Sequence, residues 1–293
     1  MASAGAIEPD RPSTYRGGSG EPLVLIHGGG GTRRLWRTTI PLLEPHHDVL
    51  AVTLTSHFGG RELPASVEPS IHALVDGVEA DMDEAGVGTA HLAGGSLGGW
   101  VALELARRGR ARSVVAIAPG GGWERGSREV RAVAWIYRFL TAGSRLFGRH
   151  ARALASRPRL RRLLAWHHFA HAERMSPDDF AYTIAGAGGM SGFSEAIVAF
   201  VRSPGAEHLD EIGCPVLLAF PERDRILPRR RYGERIVRQI AHAEVVDLPR
   251  VGHAAMVDDP ELVARTILGF TLRTAEAGAA RLNTPDPHTK ERA

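Results

Sequence analysis

The chain predicts an α/β protein with a mainly parallel central sheet, helices on both faces and a helical insertion. Three observations carry that expectation. Short apolar runs are continuous rather than alternating, as in strands buried on both faces. Stretches with helical periodicity separate them. One long stretch, 121–206, has helical periodicity and no strand-like run.

Taken in order, "PLVLIHG" (22–28) reads as the first buried strand and "DVLAVTL" (48–54) as the second. Ile71, Leu74, Val75, Val78 and Met82 then form one apolar helix face, with Ser70 as N-cap and Gly86 as stop. "TAHLAG" (89–94) is a strand, Leu97 to Arg108 a helix closed by Gly109, and "RSVVAIAP" (112–119) the next strand. Inside the insertion, Val133, Ile136, Tyr137 and Leu140 share a helix face, and "SPDD" (176–179) has the form of a helix start. The alternation resumes with "PVLLAF" (215–220), a helix through Tyr232, Ile236, Val237 and Ile240, "AEVVDL" (243–248), and a last helix through Val263, Ile267 and Phe270. The core is therefore assigned to 18–120 and 207–273 and the helical lid to 121–206. Residues 1–17 and 274–293 lack periodicity and read as mobile tails.

Composition bounds the function. With 293 residues, 43% hydrophobic and 24% charged, the chain can bury a large core. No apolar run has the length of a membrane span, and "MASAGAIEPDRPSTYRGGSGEP" lacks the basic-then-apolar order of a secretory signal. The single Cys214 cannot pair within the chain and reads as a packing residue. These features together suggest a cytoplasmic protein.

The chemistry centres on "AHLAGGSLGGWVALELA" (90–106), where Gly94, Ser96 and Gly98 match G-x-S-x-G between a strand and a helix. A nucleophile on so sharp a turn needs small neighbours, and the first helical amide, Leu97 N–H, is free to hold an oxyanion. A glycine-rich turn without chemistry is the alternative, but no lysine follows the glycines as in a phosphate loop. A serine hydroxyl needs a base, and the base needs an acid to orient it. Asp224 follows "PVLLAF" and His253 follows "AEVVDL", so both fall just past the carboxyl ends of strands, where sites of parallel sheets form. In "IHGGGGTRRLW" (26–36), Gly29 N–H is the second candidate oxyanion donor, with His27 and Gly28 supporting its loop.

On "HGGGG", "GGSLGG", "PERDRILP" and "VGHAAMVDDP", the chain resembles the α/β-hydrolase superfamily over residues 14–272, especially its lidded esterases, thioesterases, carbon-carbon hydrolases and cofactor-free haloperoxidases. The resemblance implies Ser96 as nucleophile, Asp224 as acid, His253 as base, and the Gly29 and Leu97 amides as oxyanion hole. Pro221 stands where relatives carry glycine, leaving Glu222 as the other candidate acid, and "LTSHFGG" (54–60) replaces the family's D-x-P-G-x-G-x-S loop. Serine at position 96 argues against epoxide hydrolase and haloalkane dehalogenase activity, which use aspartate there in this superfamily.

From Arg107 to Arg162 the chain holds fifteen arginines and two acids, Glu124 and Glu129, a net of +13 within a total of +3. This field could attract anionic substrates or an anionic membrane surface, or belong to a solvated surface paired with an acidic core. Trp123, Trp135, Tyr137, Trp166 and Phe169 either line a pocket or pack the lid. His167 and His171 lack a third ligand at metal-site spacing, and the basic run matches no nucleic-acid module. The expectation is a serine hydrolase without cofactor or metal, acting on a small or medium ester, thioester or related carbonyl compound, with its oligomeric state open. A receptor-like binding protein on the same fold and an acyltransferase using the same serine are the alternatives.

Overall fold

Successive residues of a strand point to opposite faces, and in the run Leu23-Val24-Leu25-Ile26 both sets are apolar. Leu23 and Leu25 enter one core, and Val24 and Ile26 enter the other. That arrangement fixes a sheet covered on both sides. The computed structural model describes residues 7–189 and 202–282. Its strands are β1 (Thr14–Gly18), β2 (Glu21–Ile26), β3 (His47–Val52), β4 (Ala90–Gly95), β5 (Ala111–Ile117), β6 (Val216–Pro221) and β7 (Glu244–Leu248). They lie in the order β1-β3-β2-β4-β5-β6-β7, and only β1 runs antiparallel to its neighbour. The chain reverses its direction of travel across the sheet between β2 and β4, the switch point at which open α/β sheets leave a crevice.

Helices α2 (Ile71–Glu84), α3 (Leu97–Arg107) and α8 (Arg229–Gln239) bury Val78, Trp100 and Ile236 in one core. Helices α1 (Ile40–Leu43) and α9 (Pro260–Leu282) bury Leu43, Val263, Ile267 and Phe270 in the other. The predicted Ser70 cap is made, its hydroxyl accepting from Ala73 N at 3.1 Å. Gly86 and Gly109 follow the ends of α2 and α3 at φ 69° and 76°. Between β5 and β6 lie α4 (Arg128–Phe147), α5 (Ala151–Ala155), α6 (Pro158–Ala165) and α7 (Pro177–Gly188), with no strand among the described residues of 121–206. These helices are rooted in both cores, through Val130 and Val133 on one side and Ala155, Ala165 and Phe180 on the other.

Both tail boundaries need correction. Residues 14–17, assigned to the N-terminal tail, form β1 against β3; "TYRGG" is a short, partly exposed edge strand, too glycine-rich to show a period. The last helix passes residue 273 and runs to Leu282, because "TAEAGAARL" favours helix through its alanines without an apolar stripe. Among the described residues, no helix is long and apolar enough to cross a membrane.

Candidate active site

Ser96 follows β4 directly and starts α3 with φ 55° and ψ −118°, a conformation that costs a non-glycine residue on the order of 1–3 kcal/mol. Its surroundings hold it there. Ser96 N–H donates to Ile117 O at 2.8 Å, and its carbonyl accepts from Gly120 N at 2.9 Å. A Cβ at Gly94 would lie 2.2 Å from Gly98 O, and one at Gly98 2.3 Å from Ile26 O, so strand and helix can approach only because both are glycine. Gly28 packs beside the serine, where an added Cβ would sit 3.1 Å from Ser96 Cβ.

His253 and Asp224 arrive from the loops after β7 and β6. His253 Nδ1 meets Asp224 Oδ2 at 2.8 Å, with both side chains buried. Asp224 Oδ1 accepts from Ile226 N and Leu227 N, each at 2.8 Å. Burial pushes the Asp224 carboxyl up, but the His253 charge and hydrogen bond and the two amides outweigh it, holding the group below the ordinary carboxylate range. Of the two candidate acids, it is thus Asp224 that meets the imidazole; Glu222 instead accepts from Arg250 N at 2.7 Å. His253 Nε2 is buried without a hydrogen-bond partner.

The glycine loop after β2 is tied down by His27. Leu54 N donates to His27 Nε2 at 3.0 Å, which leaves Nδ1 to donate to Gly28 O at 2.7 Å. Burial first, and the neighbouring His57 second, hold His27 well below the ordinary imidazole range, so it stays neutral. An added Cβ at Gly29 would be 3.7 Å from a Leu97 methyl and 3.6 Å from the Tyr137 ring, which places the two expected oxyanion residues side by side.

Three further residues shape the site; the sequence offers Tyr137 only as a pocket or packing position, and His168 and Asp258 not at all. The Tyr137 phenol on α4 interacts with the Ser96 side chain, and burial pushes it up to about 12, so it is protonated at neutral pH. His168 stands edge-on to both Tyr137 and His253, with ring centroids 6.1 and 5.7 Å away. Burial, then repulsion by His253 and His167, keeps it well below the usual range. Asp258 clamps two loops together, accepting from Gly252 N at 2.7 Å, Ala170 N at 2.8 Å and His171 N at 2.9 Å. The helical period around Tyr137 was visible in the sequence; its partner forty-one positions away was not.

Beside Gly29, Tyr137 and His168 opens a cavity of about 350 Å³. Its walls are mostly apolar, with Leu35, Leu140, Leu154, Phe180 and Ile184 prominent, and no arginine is among its described lining residues. Trp123 is packed in the core instead, whereas Trp135 and Trp166 are exposed. His167 lines the cavity, and His171 lies 3.7 Å from Glu173. Among the described residues, no three His, Cys, Asp or Glu side chains are grouped to hold a metal ion.

Residues 23–266 match the model of the Alpha/beta hydrolase family. An epoxide hydrolase of Mycobacterium tuberculosis, EphH, is 34% identical over 201 residues, covering 67% of this chain and 92% of that protein. A pimeloyl-[acyl-carrier protein] methyl ester esterase of Neisseria meningitidis is 29% identical over 256 residues, covering 85% of this chain and 92% of that one. Among solved structures, a thermophilic esterase from Thermogutta terrifontis superposes with a TM-score of 0.68 at 20% identity, covering 92% and 99% of the two chains. The chain belongs to the alpha/beta hydrolase family and is an enzyme of the hydrolase class.

Proposed function

We propose that this member of the alpha/beta hydrolase family cleaves a small or medium ester, thioester or related carbonyl compound through an acyl-enzyme on Ser96. One observation carries the reading: His253 is fixed to Asp224 through Nδ1 while its Nε2 is buried and unpartnered, on the same rim as a serine held at φ 55°. A buried imidazole nitrogen left without a partner is costly unless a reacting group uses it.

In this mechanism His253 Nε2 takes the Ser96 proton as Oγ attacks the carbonyl carbon. The Leu97 and Gly29 amides hold the oxyanion; each such donor contributes roughly 3 kcal/mol to the transition state. His253 then returns the proton to the leaving group. Water, deprotonated by the same nitrogen, releases the acid and restores the hydroxyl. Asp224 stays ionised and stabilises the imidazolium. Tyr137, a protonated phenol next to Ser96, supplies a third hydrogen bond as charge develops. The apolar cavity takes the acyl portion, its volume suiting a modest group.

Chemistry also separates this reading from the activity named for the Mycobacterium relative. A carboxylate that opens an epoxide leaves an ester, which water can cleave. Ser96 attacking the same carbon would leave an ether with no carbonyl to attack, and the enzyme would stop after one turnover.

The test is a rapid-mixing experiment with p-nitrophenyl esters of increasing chain length. The mechanism requires a burst of nitrophenolate equal to the enzyme present and a matching mass increase on the peptide carrying Ser96. Turnover without a covalent adduct under any trapping condition would contradict it. Partition of the acyl group to added alcohol or amine in preference to water would identify an acyltransferase instead.

A further inference from the structure

The arginines counted between 107 and 162 divide into two sets. Arg107, Arg108, Arg110 and Arg112 reach acids of the sheet domain, among them Glu104, Glu211, Asp76, Asp83 and Glu21. Arg161 is buried and donates to the carbonyls of Ala155, Ala172 and Glu173. The others sit elsewhere. From Val130 to Ala172 the chain has nine arginines and no acidic residue. Arg131 and Arg138 on α4 and Arg159 and Arg162 on α6 are exposed, with no ion pair among the described residues.

Large apolar side chains share this surface. Trp135, Phe139 and Leu146 are 72%, 79% and 65% exposed, and with Ala142 they follow i, i+4, i+7 and i+11 along one stripe of α4. On α6 and just beyond it, Leu163 and Trp166 are 67% and 54% exposed. Phe139 and Leu164 are at once exposed and part of the cavity wall, so they mark its mouth between α4 and α6. Arg138 lies over the Trp135 ring and Arg225 over the Trp166 ring, at 6.0 and 5.3 Å.

We propose that this face docks the enzyme on an anionic lipid surface, with the cavity mouth turned toward the membrane. Charge and polarity both select that occupant. Unpaired arginines meet lipid phosphates, and their long stems let neighbouring tryptophan, phenylalanine and leucine enter the acyl boundary beneath. An acidic protein would answer the charge but leave the apolar stripe to find a second match. A second copy would set the arginines against one another. The docking also deepens the functional reading above: an acyl group leaving the bilayer would enter the apolar cavity beside Gly29 and Tyr137.

The experiment is flotation of the full chain with vesicles of phosphatidylcholine alone or mixed two to one with phosphatidylglycerol. Trp135 and Trp166 also report directly, since Trp36, Trp100 and Trp123 are buried. The expected results are binding to the mixed vesicles only, loss of binding with added salt, and a blue shift of tryptophan emission. Reversing Arg131→Glu, Arg138→Glu and Arg162→Glu together should weaken binding by roughly 100-fold, from the usual contribution of each basic side chain near such a surface. Trp135→Ser with Leu163→Ser should weaken it by about 10-fold or more. Both variants should keep turnover of a soluble short ester within about twofold, which excludes misfolding. Absence of binding at low salt, undiminished binding by the arginine variant, or self-association through this face in place of lipid binding would overturn the proposal. Binding without ester turnover by any form would leave the docking standing and remove the catalytic reading; turnover without binding would do the reverse.

Discussion

The amino end of the sheet satisfies its buried histidines, whereas the carboxyl end satisfies His27 and leaves two others short of a partner. At the amino end, His91 bonds Ser113 Oγ and Glu21 Oε2, each at 2.8 Å, and His47 bonds Glu21 O at 3.0 Å and Thr271 Oγ1 at 2.9 Å. Every ring nitrogen has a partner. At the carboxyl end, His253 and His57 are equally buried, yet each leaves Nε2 unpartnered, and Ser96 holds a strained backbone beside them. Satisfied polar groups hold a fold together; unsatisfied ones mark where the fold gives up stability for chemistry. Mutations at the two ends should therefore separate activity from stability.

The largest effect is expected at the carboxyl end. Ser96→Ala should lower turnover of an activated ester by on the order of 10⁴–10⁶-fold, and Asp224→Asn by about 10⁴-fold, with melting temperatures near that of the wild type. Steady-state kinetics beside thermal unfolding would show it, and a matching loss of stability would blur the contrast. Next, Tyr137→Phe should reduce kcat by roughly 100-fold and leave KM little changed, because one donor used in the transition state is removed. The loss should be constant through neutral and mildly alkaline pH, since the phenol titrates only at about 12.

Stability sharpens the comparison from the other side. Burial lowers His57 to about 4 from the ordinary 6.5, so between those values the unfolded chain binds a proton that the folded one does not. Its contribution is intact above pH 6.5 and declines as pH falls, by up to about 3 kcal/mol near pH 4. Urea unfolding at several pH values should show a shallower acid slope for His57→Asn. The smallest effect belongs to the amino end: His91→Ala should cost roughly 1–3 kcal/mol by stranding Ser113 and Glu21, while kcat per folded molecule stays unchanged. A large loss of kcat there would break the division between the two ends.

Much of this arrangement was legible in the sequence because it is local. G-x-S-x-G between an apolar run and a helical period places Ser96, and continuous rather than alternating runs imply a sheet buried on both faces. Asp224 and His253 could be set on one rim because each follows a strand of a parallel sheet. What stayed hidden depends on distant pairing. Tyr137 reads as one more apolar position of a helix until α4 is laid over Ser96, and Asp258 is one acid in "VDDP" until the loop at Ala170 and His171 reaches it. Likewise the net charge of the arginine-rich stretch is plain from composition, but which arginines pair with the sheet domain and which face outward is a tertiary fact. β1 could not be placed from sequence for a different reason: an edge strand with glycines carries almost no apolar signal.

The central claim is that His253, oriented by Asp224, activates Ser96. Labelling by a fluorophosphonate probe tests it most directly, with wild type, Ser96→Ala and His253→Ala compared and circular dichroism reporting the fold. The account predicts rapid labelling of the wild type, on Ser96, and none of either folded variant. Equal labelling of His253→Ala, or a folded wild type that does not react, would contradict it.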